Sequence, residues 1–325
     1  MKLINFSDWA VLIFSLAACS PANTATVQVT APVYTLPAPA DSQAPVQALP
    51  ATATEFVAPL TPTEKVMLAT QTVPITSEMI ITETQIVTIT IVYDNNPYDP
   101  RLTAAWGFSA LIEYRDYNLL FDTGGDGQIL LENMRLLGID PAQLDSVVLS
   151  HAHDDHTGGL ISLFNAGAKP VVYLLNSFPL TFKRQVEQYT SINEISAGQF
   201  ITEGIWITGE IGDGIREQAL VIQTERGLVV ITGCAHPGIV KMVKHAQERL
   251  NAPILLVLGG FHLVGISEAE IETIVSDFEQ MGVEQVGPCH CTGEAAIARF
   301  SSAYGDNFIK IGVGSIIHLE NTAIK

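Results

Sequence analysis

The chain has 325 residues, 47% of them hydrophobic, and sets 34 Asp and Glu against 16 Lys and Arg for a formal charge of -18. Length and apolar content supply material for a sizeable core. The acidity disfavours nonspecific attraction to a phosphate backbone, so no nucleic acid is expected as a partner.

At the N-terminus, Met1-Lys2 precedes an apolar run, Trp9–Ala18, that is too short for a membrane span and suits a signal-peptide core. The following Leu16-Ala17-Ala18-Cys19 resembles the lipobox of bacterial lipoproteins. Residues 1–19 are therefore expected to be a lipoprotein-type signal peptide with Cys19 as the lipidation site. The chain would then be exported and held by its lipid on the extracytoplasmic side of a bacterial membrane. An ordinary secretory signal is the alternative, because Lys2 is the only basic side chain before the apolar run.

Residues 20–83 read as a disordered linker rich in Pro, Ala and Thr. Nine of the 17 prolines fall between Pro21 and Pro74, where each removes a backbone donor and biases its predecessor toward extended geometry. Residues 84–325 form the expected globular domain. Ile86–Tyr93 is β-branched and ends in the turn-rich Asp94-Asn95-Asn96-Pro97, which predicts a strand. Phe108–Tyr114 and Asn118–Phe121 flank an Arg115-Asp116-Tyr117 turn as a hairpin. Gly127–Leu137 has the spacing of a helix with one buried face, and the apolar Leu144–Leu149 predicts a buried strand.

That strand runs into Ser150-His151-Ala152-His153-Asp154-Asp155-His156-Thr157-Gly158-Gly159, three imidazoles and a carboxylate within six positions. His151 and His153 alternate along an extended segment, while Asp155 and His156 follow as the chain turns toward a helix. Such pairs face two neighbouring points and suit two cations.

Downstream, Val171–Leu175 reads as a strand and Phe182–Tyr189 as a helix. Leu228–Thr232 is a strand entering Gly233-Cys234-Ala235-His236-Pro237-Gly238, with Pro237 at the first position of a helix that continues through Ile239, Val243, Ala246 and Leu250. Ile254–Leu258 ends in Gly259-Gly260-Phe261-His262. Ser267–Met281 is an amphipathic helix with Ser267 and Glu270 in capping-box spacing. Glu284–Val286 leads into Gly287-Pro288-Cys289-His290-Cys291-Thr292-Gly293. Four strands thus end in His-bearing loops, the carboxyl-end placement that α/β sheets use for sites.

Together these segments resemble the metallo-β-lactamase superfamily, on the His-x-His-x-Asp-His run and on Gly107–Glu113, Leu120–Gly124, Thr232–Ile239, Gly259–Leu263 and Pro288–Gly293. The resemblance is to the branch of dihydropterin-ribofuranosylaminobenzene-phosphate synthases and related metal-dependent hydrolases, and it covers about Thr84 to Leu319. It implies an αββα sandwich. It also implies His151, His153 and His236 as ligands of one metal, and Asp155, His156 and His290 as ligands of a second. Asp122 becomes the strand-end carboxylate that orients the metal loop. Many superfamily members carry a metal-bridging aspartate where this chain has Cys234, which is either a thiolate ligand or, preferred on the sequence, a buried structural thiol. His262 would contact substrate, ligate, or support a ligand.

The expected cofactor is zinc, one or two ions, with Mn2+ or Fe2+ as alternatives. The expected activity is hydrolysis of a small ester, lactone, amide or phosphoester by a metal-bound hydroxide that Asp155 orients, with His262 also in the catalytic set. A synthase or transferase acting on a pterin precursor, and a non-enzymatic metal- or ligand-binding surface lipoprotein, are the alternatives. With Cys19 lipidated, Cys234, Cys289 and Cys291 leave an odd number. A Cys234 bridge to Cys289 or Cys291, or soft metal ligation, are both open. His245, read on a solvated helix face, and His318 are expected bystanders, while Trp106, Phe261 and Thr181–Gly198 are candidates for pocket walls or ordinary packing.

Overall fold

A computed structural model describes residues 84–322; the expected signal peptide with Cys19 and the expected linker lie outside the described residues. Thirteen strands among them form two sheets. One sheet contains β1 (Thr84–Tyr93), β2 (Ser109–Tyr114), β3 (Tyr117–Phe121), β4 (Ser146–Val148), β5 (Val171–Leu175), β6 (Ile192–Ile195) and β13 (Ile316–Thr322) in the order β13-β1-β2-β3-β4-β5-β6. The other contains β7 (Ala197–Thr202), β8 (Ile205–Gly209), β9 (Leu220–Thr224), β10 (Gly227–Thr232), β11 (Ile254–Gly260) and β12 (Gln285–Cys289) in the order β12-β11-β10-β9-β8-β7.

Side-chain alternation explains why the sheets stack. In β10, Val229 and Ile231 join the first sheet's Ile89, Leu120 and Val147 in one buried cluster. Their neighbours Leu228 and Val230 face the other way, onto Met242, Val243 and Val275. Both faces of β10 are therefore apolar, and its sequence reads as an unbroken hydrophobic run. Helices α1 (Gly127–Leu137) and α3 (Leu160–Asn165) pack with the first sheet, while α5 (Ile239–Leu250), α6 (Glu268–Gln280) and α7 (Glu294–Tyr304) cover the second. The result is the αββα sandwich. Each fully buried Val, Leu or Ile contributes roughly 1.5–3 kcal/mol, which makes the two-sheet layer a stiff base for the loops at its edge.

Pairing direction decides where those loops lie. Strands β3, β4 and β5 run parallel, as do β10, β11 and β12. Each parallel set carries its carboxyl ends, and the His-bearing loops after them, to one edge of its sheet.

Most elements match the sequence reading, with local differences. Tyr117 belongs to β3 and pairs with Tyr114, so the hairpin turn is only Arg115-Asp116, with Arg115 at φ 56°. Helix α4 (Leu180–Val186) starts and ends earlier than Phe182–Tyr189. Pro237 lies outside α5, whose cap is Gly238 at φ 99°. Strands β6 to β9 carry no strong sequence signal: β7 is largely exposed and β6 exposes its two central residues. The capping box at Ser267 and Glu270 is present in full.

Candidate metal centre

His151 leaves the end of β4 fully buried, and His153 caps α2 (Asp154–Thr157), the single helical turn that carries Asp155 and His156. His236 follows β10, His262 follows β11, and His290 opens a short 3-10 turn after β12. Asp122 ends β3. Four of these loop residues, Asp122 (φ 58°), Ala235 (61°), His262 (55°) and His290 (48°), hold left-handed backbone that disfavours side chains. Strain of this kind, of order 1–3 kcal/mol per residue, persists only where the surroundings enforce it, and here it concentrates at one edge of the fold.

The side chains form two donor sets. In the first, His151 Nε2 lies 3.0 Å from His153 Nδ1, which lies 3.2 Å from His236 Nε2. In the second, Asp155, His156, Cys234 and His290 bring one donor atom each within 4.8 Å of one another. His156 Nε2 is 3.2 Å from Cys234 Sγ and 3.6 Å from Asp155 Oδ2, and His290 Nε2 is 3.3 Å from the same oxygen. Cys234, His262 and Cys291 form a further, overlapping trio.

This donor chemistry fits cations. Burial, followed by the adjoining His156 and His236 rings, drives the His151 imidazole far below its ordinary range, and burial with His262 lowers His236 to about 4. Both rings are neutral at pH 7 and present lone pairs to one point. Burial pushes the Asp155 carboxyl up, but the adjoining His290 and His156 rings outweigh it and leave the group well below the usual range. His290 Nε2 is buried with no hydrogen-bond partner, an orphan that a metal would satisfy.

A layer of buried partners aims the ligands. Asp122 Oδ2 accepts from His156 Nδ1 and Ser150 Oγ, and its Oδ1 from Ser150 N, all at 2.7 Å. Burial opposes the charged form of His156, but Asp122 raises its ring overall. Asn95 Oδ1 lies 2.9 Å from His290 Nδ1 and sets the outward nitrogen of that ring. Glu217 is fully buried and accepts from the amides of Cys234, Ala235 and His236 at 2.8, 2.8 and 2.9 Å. At Gly233 a Cβ would fall 2.2 Å from Ser150 Oγ and 2.8 Å from Asp122 Oδ2, so only glycine lets the two loops meet.

The sequence reading gives Ser150, Asn95 and Glu217 no role at the site. Asn95 lies in a turn whose composition explains it without a site, and Glu217 precedes β9 in no motif. Cys234 is buried, as the preferred structural reading requires, and the loop after β10 also brings its sulfur 3.2 Å from His156 Nε2, within the second donor set. All three described cysteines are free, so neither proposed disulfide is present; the Cys291 sulfur instead faces Cys234 O at 3.6 Å. Bonding to Cys234, set against burial, holds the Cys291 thiol down at about 5. His245 is half-buried against Trp206, ring centroids 6.1 Å apart, rather than solvated. His318 faces Thr88 in the sheet, away from both donor sets. Trp106 lies 4.9 Å from the His290 ring and is exposed, Phe261 is core, and Thr181–Gly198 contributes α4 and β6.

Asp94, at the end of β1, gives a pH signature. Burial raises its carboxyl to about 6 despite the Asn96 amide, and Oδ2 has no partner. Because the folded value exceeds the unfolded one, ionisation destabilises the fold. The native state is relieved of that cost below about pH 4 and bears it fully above about pH 6. Removing the charge with Asp94→Asn should raise stability at pH 7.5 by up to about 3 kcal/mol and change it little at pH 4, as read by denaturant titration at both values. Equal effects at the two pH values would count against this origin.

The two-sheet sandwich thus carries imidazole and carboxylate sets at its strand ends that could hold metal ions. The Metallo-beta-lactamase superfamily matches residues 107–249, and the chain belongs to that superfamily. It is 30% identical over 263 residues to an uncharacterized protein of Methanocaldococcus jannaschii, covering 70% of this chain and 99% of that one. It is 28% identical over 278 residues to the 7,8-dihydropterin-6-methyl-4-(beta-D-ribofuranosyl)-aminobenzene-5'-phosphate synthase of the same organism, covering 70% and 95%. Among solved structures, Tm1679, a metal-dependent hydrolase of the beta-lactamase superfamily, aligns with a TM-score of 0.63 at 29% identity over 72% of this chain and all of that one.

Proposed function

We propose that this protein is a zinc-dependent hydrolase of small esters, lactones, amides or phosphoesters. The observation that carries the reading is the convergence of three imidazole nitrogens, of His151, His153 and His236, beside the second set that contains Asp155. Three protein donors leave a position open, as catalytic zinc sites do, whereas Asp155, His156, Cys234 and His290 make a four-donor complement. The sulfur of Cys234 favours zinc over the harder Mn2+. When bound, the ions would supply a Lewis acid and lower the pKa of water toward about 7.

The chain's own residues do the rest. Asp155 accepts a hydrogen bond from the attacking water and turns its lone pair toward the electrophile. The new C–O or P–O bond forms as the bond to the leaving group breaks. His262, exposed and 4.2 Å from the His236 ring between centroids, is placed to return a proton to the departing atom. Its Cys291 partner outweighs burial and raises its imidazole above the ordinary range, which suits a proton donor.

Chelator-treated full-length protein should lose turnover across ester, lactone, amide and phosphoester panels, and added zinc should restore it. The His153→Ala variant should bind zinc at least about 100-fold more weakly. Bound metal with no turnover on any panel would favour a metal-binding role without catalysis. A synthase-type transfer on a pterin precursor is the second reading, favoured by the 28% identity to the dihydropterin synthase. The proposed setting is the extracytoplasmic membrane surface, through lipid at Cys19, a position supported by the lipobox-like Leu16-Ala17-Ala18-Cys19. Cys19→Ala should then release the protein from the membrane fraction, and retention there would refute the anchor.

A further inference from the structure

A cavity of about 660 Å³ opens against His236 and His262, between the first turns of α5 and the loop after β11. At about 30 Å³ for each water-sized group, it holds roughly twenty such groups, a drug-sized occupant. Its wall is apolar at Ile239, Leu263 and Ile266, and Lys241 and Lys244 stand along it. A smaller cavity of about 230 Å³ touches His153 of the same triad. Two compartments of unequal size thus reach the triad, and the larger one combines a greasy wall with Lys241 and Lys244 beside a single carboxylate, Glu248.

The lysines are unusual in this chain. Basic residues are outnumbered 34 to 16, yet two of them share one face of α5. Three residues apart on a helix, they are separated by about 4.5 Å along the axis, close enough for both to reach one anionic group. Lys241 has no ion-pair partner among the described residues, and Lys244 reaches Glu248 only at 3.9 Å, with both side chains exposed. An exposed pair of that kind contributes little and yields readily to a ligand. Trp106 beside His290, and Val264 and Ile266 in the loop after β11, expose apolar surface, the residues being 56%, 64% and 39% accessible. That surface suits a substrate with an apolar body rather than a small polar metabolite.

Resting on the hydrolase reading, we propose that the substrate is an amphiphilic anion: an ester whose scissile group lies at His151, His153 and His236, whose apolar body runs over Ile239, Leu263 and Ile266, and whose terminal anionic group is held by Lys241 and Lys244. Hydrolysis adds water across the ester bond, giving an acid and an alcohol, with the distal anion unchanged.

The test uses the full-length protein and decylphosphonate, whose C–P bond is not a substrate bond. Calorimetry should show binding that weakens at least tenfold in Lys241→Glu/Lys244→Glu. Methylphosphonate, which lacks the apolar body, should bind at least tenfold more weakly than decylphosphonate to the unaltered protein. Decanedioate should repeat the lysine dependence if carboxylates are accepted; if only the phosphonate does, the anion is a phosphate type. Kinetically, the ratio of kcat/KM for the monophenyl ester of decanedioic acid over phenyl decanoate should fall at least tenfold in the same variant. It should also fall in Lys241→Met/Lys244→Met, which keeps the apolar stems. Equal phosphonate binding by the charge-reversed variant, or an unchanged ratio, overturns the proposal while leaving hydrolysis intact. Lysine-dependent phosphonate binding with no turnover of any ester would instead sink the hydrolase reading and keep the anion site.

Discussion

Asp122→Ala should be among the most damaging single changes in this protein. The Asp122 carboxylate is fully buried and accepts three hydrogen bonds, from Ser150 N, Ser150 Oγ and His156 Nδ1. Truncation leaves those donors unsatisfied and strips the buried His156 ring of its counter-charge, which costs about 3–5 kcal/mol. For a domain of this size that corresponds to a fall in Tm of roughly 6–20 °C. It also frees the His156 ring to rotate, so zinc affinity should drop about 10- to 100-fold. The left-handed backbone at Asp122, φ 58°, adds to the loss, because Asp tolerates that region better than Ala. Thermal unfolding with and without zinc, together with competition against a chromophoric chelator, reads both effects. Native zinc affinity in a folded Asp122→Ala protein would remove Asp122 from the positioning role.

Glu217→Gln should give the second large loss, by a different route. Glu217 touches no donor set directly, yet its two oxygens anchor the amides of Cys234, Ala235 and His236. Its Oε2 also lies 3.9 Å from His151 Nδ1. Glutamine keeps the shape and replaces one acceptor oxygen with an NH2 group that confronts an amide N–H. One or two buried donors then go unsatisfied, at about 1–3 kcal/mol each. Since the anchored segment carries Cys234 for one set and His236 for the other, both metals should weaken together. Zinc titration followed by mass spectrometry under native conditions would show it, and loss of one ion alone would argue that Glu217 supports only one side.

How far these residues were legible depends on how local their signals are. Helix α1 and strand β5 have the bounds that the periodicity predicts, because their apolar spacing lies within a dozen residues. The same holds for the ligand run His151 to His156. Strands β6 and β7 are mostly exposed and lack the alternation that marks a half-buried strand, whereas β8 and β9 are buried and that reason does not extend to them. For Cys234 the sequence preferred a structural thiol, because only the loop geometry brings its sulfur to His156, 78 positions away.

By itself, the sequence determined that a strand ends in a metal-ligand run and that several further strands end in histidine, since each is written in contiguous residues with a period of two or a fixed spacing. Only the tertiary structure decided how closely those histidines, grouped beforehand by the family resemblance, approach one another. Grouping His236 with His151 and His153, and His290 with Asp155 and His156, requires two separate parallel strand sets to present their carboxyl ends together. The buried carboxylate of Glu217 and the amide of Asn95 then act across separations that no local pattern encodes, because their hydrogen bonds exist only once the strands have assembled.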